Sequence, residues 1–108
     1  MLSSPQKELK FLQSLERKQT VQEDGREGIN FSNILSYEVK RCLNVLQEFY
    51  ETKEGSAGKD EYVYRIYALD EGLTIDVSIR KVSNGKEFLS VESRKTNVKE
   101  ITKKREKI

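Results

Sequence analysis

The spacing of apolar residues changes twice along the chain. Leu9, Phe11, Leu12 and Leu15 recur at helical spacing behind Ser4-Pro5. That pair reads as an N-cap followed by proline at the first helical position, where its missing N–H costs nothing. An amphipathic helix is expected over residues 1–18. Residues 19–30 (QTVQEDGREGIN) are polar, carry two glycines and show no period, which predicts a linker. Leu35, Val39, Cys42, Leu43, Leu46, Phe49 and Tyr50 then form a stripe close to a 3.6-residue period, widened by Ile34 and Val45. This predicts a second helix, capped by Asn30 or Ser32 and running to about Thr52. Residues 53–60 (KEGSAGKD) follow as a flexible loop.

The period then falls to two. Leu73, Ile75, Val77 and Ile79 alternate with Thr74, Asp76, Ser78 and Arg80, as in a half-buried strand. Residues 62–69, rich in tyrosine, isoleucine and valine, predict a strand before it, and residues 88–93 one after it. Asn84-Gly85 marks the turn between the last two strands. A two-residue loop there would set Ile79 against Ser90, placing polar groups on the core face. A three-residue loop, Ser83-Asn84-Gly85 with a left-handed Gly85, sets Ile79 against Leu89 and Val77 against Val91. The apolar match selects the second register, because a one-residue slip turns every side chain over. By the same logic Asp70-Glu71-Gly72, with Gly72 left-handed, pairs Leu69 with Leu73, Tyr67 with Ile75 and Val63 with Ile79. Tyr62, Tyr64 and Ile66 then share the opposite face with Arg80 and Phe88. Asn97 caps a last short helix with Val98, Ile101 and Ile108 turned inward.

The expected fold is therefore α+β: two N-terminal helices, a three-stranded antiparallel meander and a short basic C-terminal helix, in the order α-α-β-β-β-α. It forms one domain over residues 1–108, with a helix at 1–18, a linker at 19–30, a helix plus sheet at 31–93 and a basic segment at 94–108.

Composition narrows the chemistry. Only 35% of the residues are hydrophobic and another 35% are charged, so the core must be thin. A single cysteine, Cys42, excludes an internal disulfide and a cysteine metal cluster, and fits a small buried hydrophobe on a helix. There is no histidine, which removes the usual general base and zinc ligand. Short apolar runs and the lack of a signal-like N-terminus lead to the expectation of a soluble, cytoplasmic protein without a membrane span. The net charge of +2 is unevenly spread: residues 94–108 hold seven basic and two acidic side chains, while residues 1–93 are net acidic.

No phosphate-binding glycine loop is found. Gly55-Ser56-Ala57-Gly58-Lys59 has the spacing of the end of one, but Asp60 and a strand follow where a hydroxyl residue and a helix are required. The carboxylate pairs Glu23-Asp24, Asp60-Glu61 and Asp70-Glu71 fall in turns or linkers and lack the pattern of a calcium loop. No enzyme activity, cofactor or metal is expected. The basic segment carries the leading expectation, a non-enzymatic nucleic-acid-binding accessory or regulatory protein, RNA favoured over DNA. Arg94, Lys95, Lys99, Lys103, Lys104 and Arg105 would contact phosphates. Arg80, Tyr62, Tyr64 and Phe88 would stack unpaired bases on the sheet. The alternative is a protein-interaction module, a homodimer or an inhibitor or adaptor of a larger protein, using Leu9, Phe11, Leu12 and Leu15 of the first helix.

From Ser32 onward the order helix, three strands, helix resembles the double-stranded-RNA-binding domain. The segments that carry the resemblance are Leu73-Thr74-Ile75-Asp76-Val77-Ser78-Ile79, Asn84-Gly85-Lys86-Glu87-Phe88 and Ser93-Arg94-Lys95. It implies phosphate contacts from the basic helix start. The same order also resembles the kinase-associated C-terminal module, which implies acidic phospholipid or kinase binding, and the Alu-binding proteins of the signal recognition particle, which implies RNA contact.

Overall fold

A computed structural model of the chain describes residues 4–19, 21–23, 26–31, 33–81 and 87–96. Two helices, α1 (Ser4–Arg17) and α2 (Asn33–Phe49), pack on one antiparallel sheet. Its strands are β1 (Val21–Glu23), β2 (Arg26–Phe31), β3 (Glu51–Ser56), β4 (Glu61–Ala68), β5 (Leu73–Lys81) and β6 (Glu87–Lys95). Their spatial order is β1-β2-β6-β5-β4-β3, with β1 a three-residue edge and the other five at least six residues long.

The α+β class holds, but the three-stranded meander does not describe the sheet. The expected linker at residues 19–30 holds β1 and most of β2, and β2 pairs Ile29 with Leu89 on β6. The expected loop at residues 53–60 begins as β3, which pairs with β4 from Glu51↔Tyr67 to Ser56↔Tyr62. Both segments escape an apolar-period reading for the same reason. Glu51 and residues 53–56 are exposed, so β3 is held by backbone pairing and has no buried stripe to reveal it. In β2, the position that sits on Phe88 is Gly28; a Cβ there would overlap the Phe88 ring and the Leu89 carbonyl. Four strands therefore follow α2, and the helix–three-strand–helix order behind the resemblances is not the order found. The expected C-terminal helix falls outside the described residues, as does the Ser83-Asn84-Gly85 turn.

Where the apolar periods are strong, the expectation stands. The β5–β6 ladder pairs Ile79 with Leu89 and Val77 with Val91. The β4–β5 ladder differs by one residue: Ile66 faces Ile75, Tyr64 faces Val77 and Tyr62 faces Ile79. The connection is four residues long. A 3-10 turn, Leu69–Glu71, is closed by Gly72 at φ +64°, the left-handed glycine that was expected. The extra residue turns β4 over, so Tyr62, Tyr64 and Ile66 lie on the helix-covered face, and Val63 and Tyr67 lie on the other.

The core forms between the two helices and the first face of the sheet. Leu9, Leu12 and Leu15 of α1 meet Val39, Cys42, Leu43 and Leu46 of α2 above Ile66, Ala68, Ile75, Val77, Ile79, Leu89 and Val91. Phe11 is half-buried against this cluster. Leu12 is 0% exposed, and truncating such a residue to alanine costs ~2–5 kcal/mol. The Cys42 thiol is buried and lies 3.4 Å from the Glu8 carbonyl; burial above all pushes its pKa up, as expected of an inert thiol.

Side chains at the C-terminal end of α1 finish the edge of β6. Gln19 Oε1 accepts from the Val91 N–H (2.7 Å), and Gln19 Nε2 donates to the Val91 carbonyl (3.1 Å). Glu16 accepts from the Ser93 N–H (3.0 Å) and hydroxyl (2.6 Å). Two polar side chains thus take the place of a neighbouring strand where the β2 pairing has ended.

Candidate functional site

The register of β4 decides what the sheet can present. On the first face, α2 covers Ile66, Ile75 and Val77 but not the far end of the strands. Tyr62 and Tyr64 stand there on β4, two residues apart, beside Ile79 of β5. With Lys40 of α2, Lys59 and Asp60 after β3, Lys81 of β5 and Glu87 of β6, they line a cavity of about 350 Å³. The strand ends are locked together below it: the Lys81 N–H donates to the Asp60 carbonyl at 2.9 Å, and Lys81 pairs with Glu87 across β5 and β6.

The two tyrosines differ in setting. Tyr62 is 61% exposed at the rim. Tyr64 is half-buried and packs against the core, and burial, reinforced by Glu54 and Tyr62, raises its pKa. Its phenol is therefore neutral at physiological pH. Glu54 stands opposite Tyr64 on β3 and is tied to α2 by Gln47 Nε2, which donates to its carboxylate at 2.6 Å. The three lysines are exposed and come from three separate elements. Among the described residues, none forms an ion pair with Lys40, Lys59 or Lys81. Against Asp60 and Glu87 they leave a formal charge of +1 at the cavity. Aromatic faces beside unpaired ammonium groups suit a ligand that is flat and anionic.

The residues expected to act together are divided. Arg80 and Phe88 do share a face, with the Arg80 guanidinium carbon 5.7 Å from the Phe88 ring centroid, but Tyr62 and Tyr64 are on the other face. Phe88 is 1% exposed and cannot stack a base without rearrangement. Arg94 lies within β6, and its Nη1 donates to Asp76 Oδ2 at 2.9 Å. Asp76 also accepts two bonds from Arg65, at 2.8 and 3.2 Å. The Arg94 charge is thus committed within the sheet. Lys95, the next residue, is exposed and turned to the first face by strand alternation. The expected continuous basic segment is therefore interrupted at its start, because its first two residues are strand. Lys99, Lys103, Lys104 and Arg105 lie outside the described residues.

The handle expected on α1 is also engaged elsewhere. Leu9, Leu12 and Leu15 are buried in the protein's own core and Phe11 packs beside them, so that face is not offered to a second chain. Sequence reasoning missed Lys40, Lys59 and Lys81. With the correct β4 register the clue was present: Tyr62 and Tyr64 fall on the face of Ile79 and Lys81, next to the glycine-rich bend that carries Lys59.

No group of three or more histidine, cysteine, aspartate or glutamate side chains suited to a metal ion occurs among the described residues. No described helix is long and apolar enough to cross a membrane. Neither a protein-family model, nor a curated protein, nor a solved structure matches the chain.

Proposed function

We propose that this protein is a non-enzymatic nucleic-acid-binding accessory or regulatory factor, with RNA favoured over DNA. The observation that carries the reading is the grouping of Tyr62 and Tyr64 with Lys40, Lys59 and Lys81 around one cavity at the end of the sheet. Phosphates bind ammonium groups largely by releasing counterions, and tyrosine faces accept bases of any sequence. RNA is favoured because it more often presents loops and ends whose bases are free to leave the stack. The lysine-rich stretch from Lys99 to Lys107 adds charge that would extend the footprint along a strand.

The reading is tested by fluorescence-anisotropy titrations with labelled single- and double-stranded RNA and DNA at two salt concentrations. The full chain is compared with a version ending at Thr96, which keeps β6 whole, and with Lys40, Lys59 and Lys81 all changed to glutamine. Binding that weakens steeply with salt is expected. For a single strand the slope of log K against log salt should shrink by ~2 in the triple variant, from ~0.7 per lost phosphate contact. Salt-independent binding, or none near physiological ionic strength, would remove the reading.

A protein partner is the second reading, and one observation favours it. β3 is an exposed edge strand, pairing only with β4. Such an edge can add a strand from another chain, although the charges of Glu51, Lys53 and Glu54 along it resist indiscriminate pairing. A mass that rises with protein concentration and returns to that of the monomer on Thr52→Pro, which removes one backbone donor, would support this reading.

A further inference from the structure

We infer that the cavity between Tyr62, Tyr64 and Lys40 seats a single unpaired nucleotide, so that the protein discriminates single strands from duplexes of the same sequence. This deepens the nucleic-acid reading and rests on it. Three observations point to it.

The first is size and depth. About 350 Å³ lies at the low end of the ~300–1,000 Å³ typical of sites that enclose a small molecule. It suits one nucleotide and is far too small for a duplex. The floor of the cavity is Tyr64, half-buried below the exposed Tyr62. A base held in a duplex has its faces covered by its neighbours and cannot reach a recessed ring. An unpaired base can turn out of the strand and do so, for a few kcal/mol less than a paired one.

The second is spacing. Tyr62 and Tyr64 are separated by two residues on one face of β4, and two residues of strand rise span ~6.8 Å. That is twice the ~3.4 Å step between successive bases in a strand. The interval between the two side chains is thus one base thick. Tyr64 is anchored by its packing against the core, and its strand is paired on both sides, so the interval is kept without a ligand.

The third is charge. Lys40, Lys59 and Lys81 against Asp60 and Glu87 sum to +1, which matches the single charge of one phosphodiester. A nucleoside triphosphate would bring several more negative charges than the cavity neutralises, and would meet the two carboxylates. The expected occupant is therefore one residue of a polynucleotide rather than a nucleotide cofactor.

The test uses the full chain with a labelled RNA single strand, its blunt duplex and ATP, followed by anisotropy or, for ATP, by competition. Three proteins are compared: the parent, Tyr62→Ala and Tyr64→Leu. Tyr62 is exposed, so its removal leaves the core intact, and leucine at 64 preserves the apolar contact. Circular dichroism confirms that each variant is folded. The expected result is at least tenfold tighter binding of the single strand than of the duplex, with weak competition by ATP. Each tyrosine variant should lose about tenfold on the single strand, the equivalent of the ~1–3 kcal/mol per stacked base at 1.4 kcal/mol per decade, and change little on the duplex. Equal affinity for both forms, with neutral tyrosine variants, would overturn the single-nucleotide seat while leaving phosphate binding by the lysines in place. Preferential, tyrosine-dependent binding of ATP would also overturn it. Absence of binding to every probe would remove both this inference and the reading beneath it.

Discussion

Replacing Gln19 with alanine tests how the sheet edge is held. From Val91 outward, β6 has no strand beside it on the β2 side among the described residues, since that pairing ends at Leu89. The Gln19 amide supplies both missing partners to Val91, at 2.7 and 3.1 Å, from a residue that is itself half-buried. Alanine removes two hydrogen bonds and leaves a backbone N–H and C=O without protein partners. Each bond is worth ~1 kcal/mol net, and partial rehydration limits the added penalty, so a loss of ~2 kcal/mol is expected. For a domain of this size that lowers the melting temperature by ~10 °C. Gln19→Glu keeps the acceptor for the Val91 N–H but loses the donor to its carbonyl, and should fall about midway. Urea and thermal unfolding followed by circular dichroism give the magnitudes, and hydrogen exchange at the Val91 amide locates the effect. A change below ~0.5 kcal/mol, the range of ordinary surface substitutions, would show that water substitutes fully and that the side-chain edge contributes nothing.

Two further predictions come from packing and charge. Gly28→Ala forces a methyl group into the Phe88 ring and the Leu89 carbonyl, and since a backbone atom cannot yield cheaply, a loss of ~1–3 kcal/mol is expected in chemical denaturation. Tyr50 donates to Asp70 at 3.1 Å, and burial first, then Asp70, pushes its pKa up to about 12. Because its folded-state pKa exceeds that of the unfolded chain, its contribution to stability is complete below pH ~10 and is lost as pH rises from there toward 12. Tyrosinate absorbance should show this late titration, and Asp70→Asn should shift it to lower pH.

What could be read from the sequence depended on whether a segment buries anything. Val77 and Ile79 alternate with polar residues, as do Leu89 and Val91, so only one register kept all four inside, and the ladder agrees. β4 is apolar on both sides, with Tyr62, Tyr64 and Ile66 alternating with Val63 and Tyr67. Its register then hung on turn length, and a four-residue turn in place of three moved every tyrosine to the other face. β3 was hidden because Glu51, Lys53 and Glu54 are exposed and leave no periodic trace. The candidate site inherited these errors. Its tyrosines were legible as residues, but their lysine partners at positions 40, 59 and 81 meet them only when β4 is in its true register and β3 delivers the bend beside it.

The central claim, that the tyrosine and lysine cavity is where nucleic acid binds, is tested most directly by mapping amide chemical shifts while an unlabelled RNA single strand is added to the full chain. Shifts concentrated at Lys40, Lys59, Tyr62, Tyr64 and Lys81, and saturating together, are the predicted result. Shifts confined to the opposite face, around Arg65, Phe88 and Arg94, would contradict it.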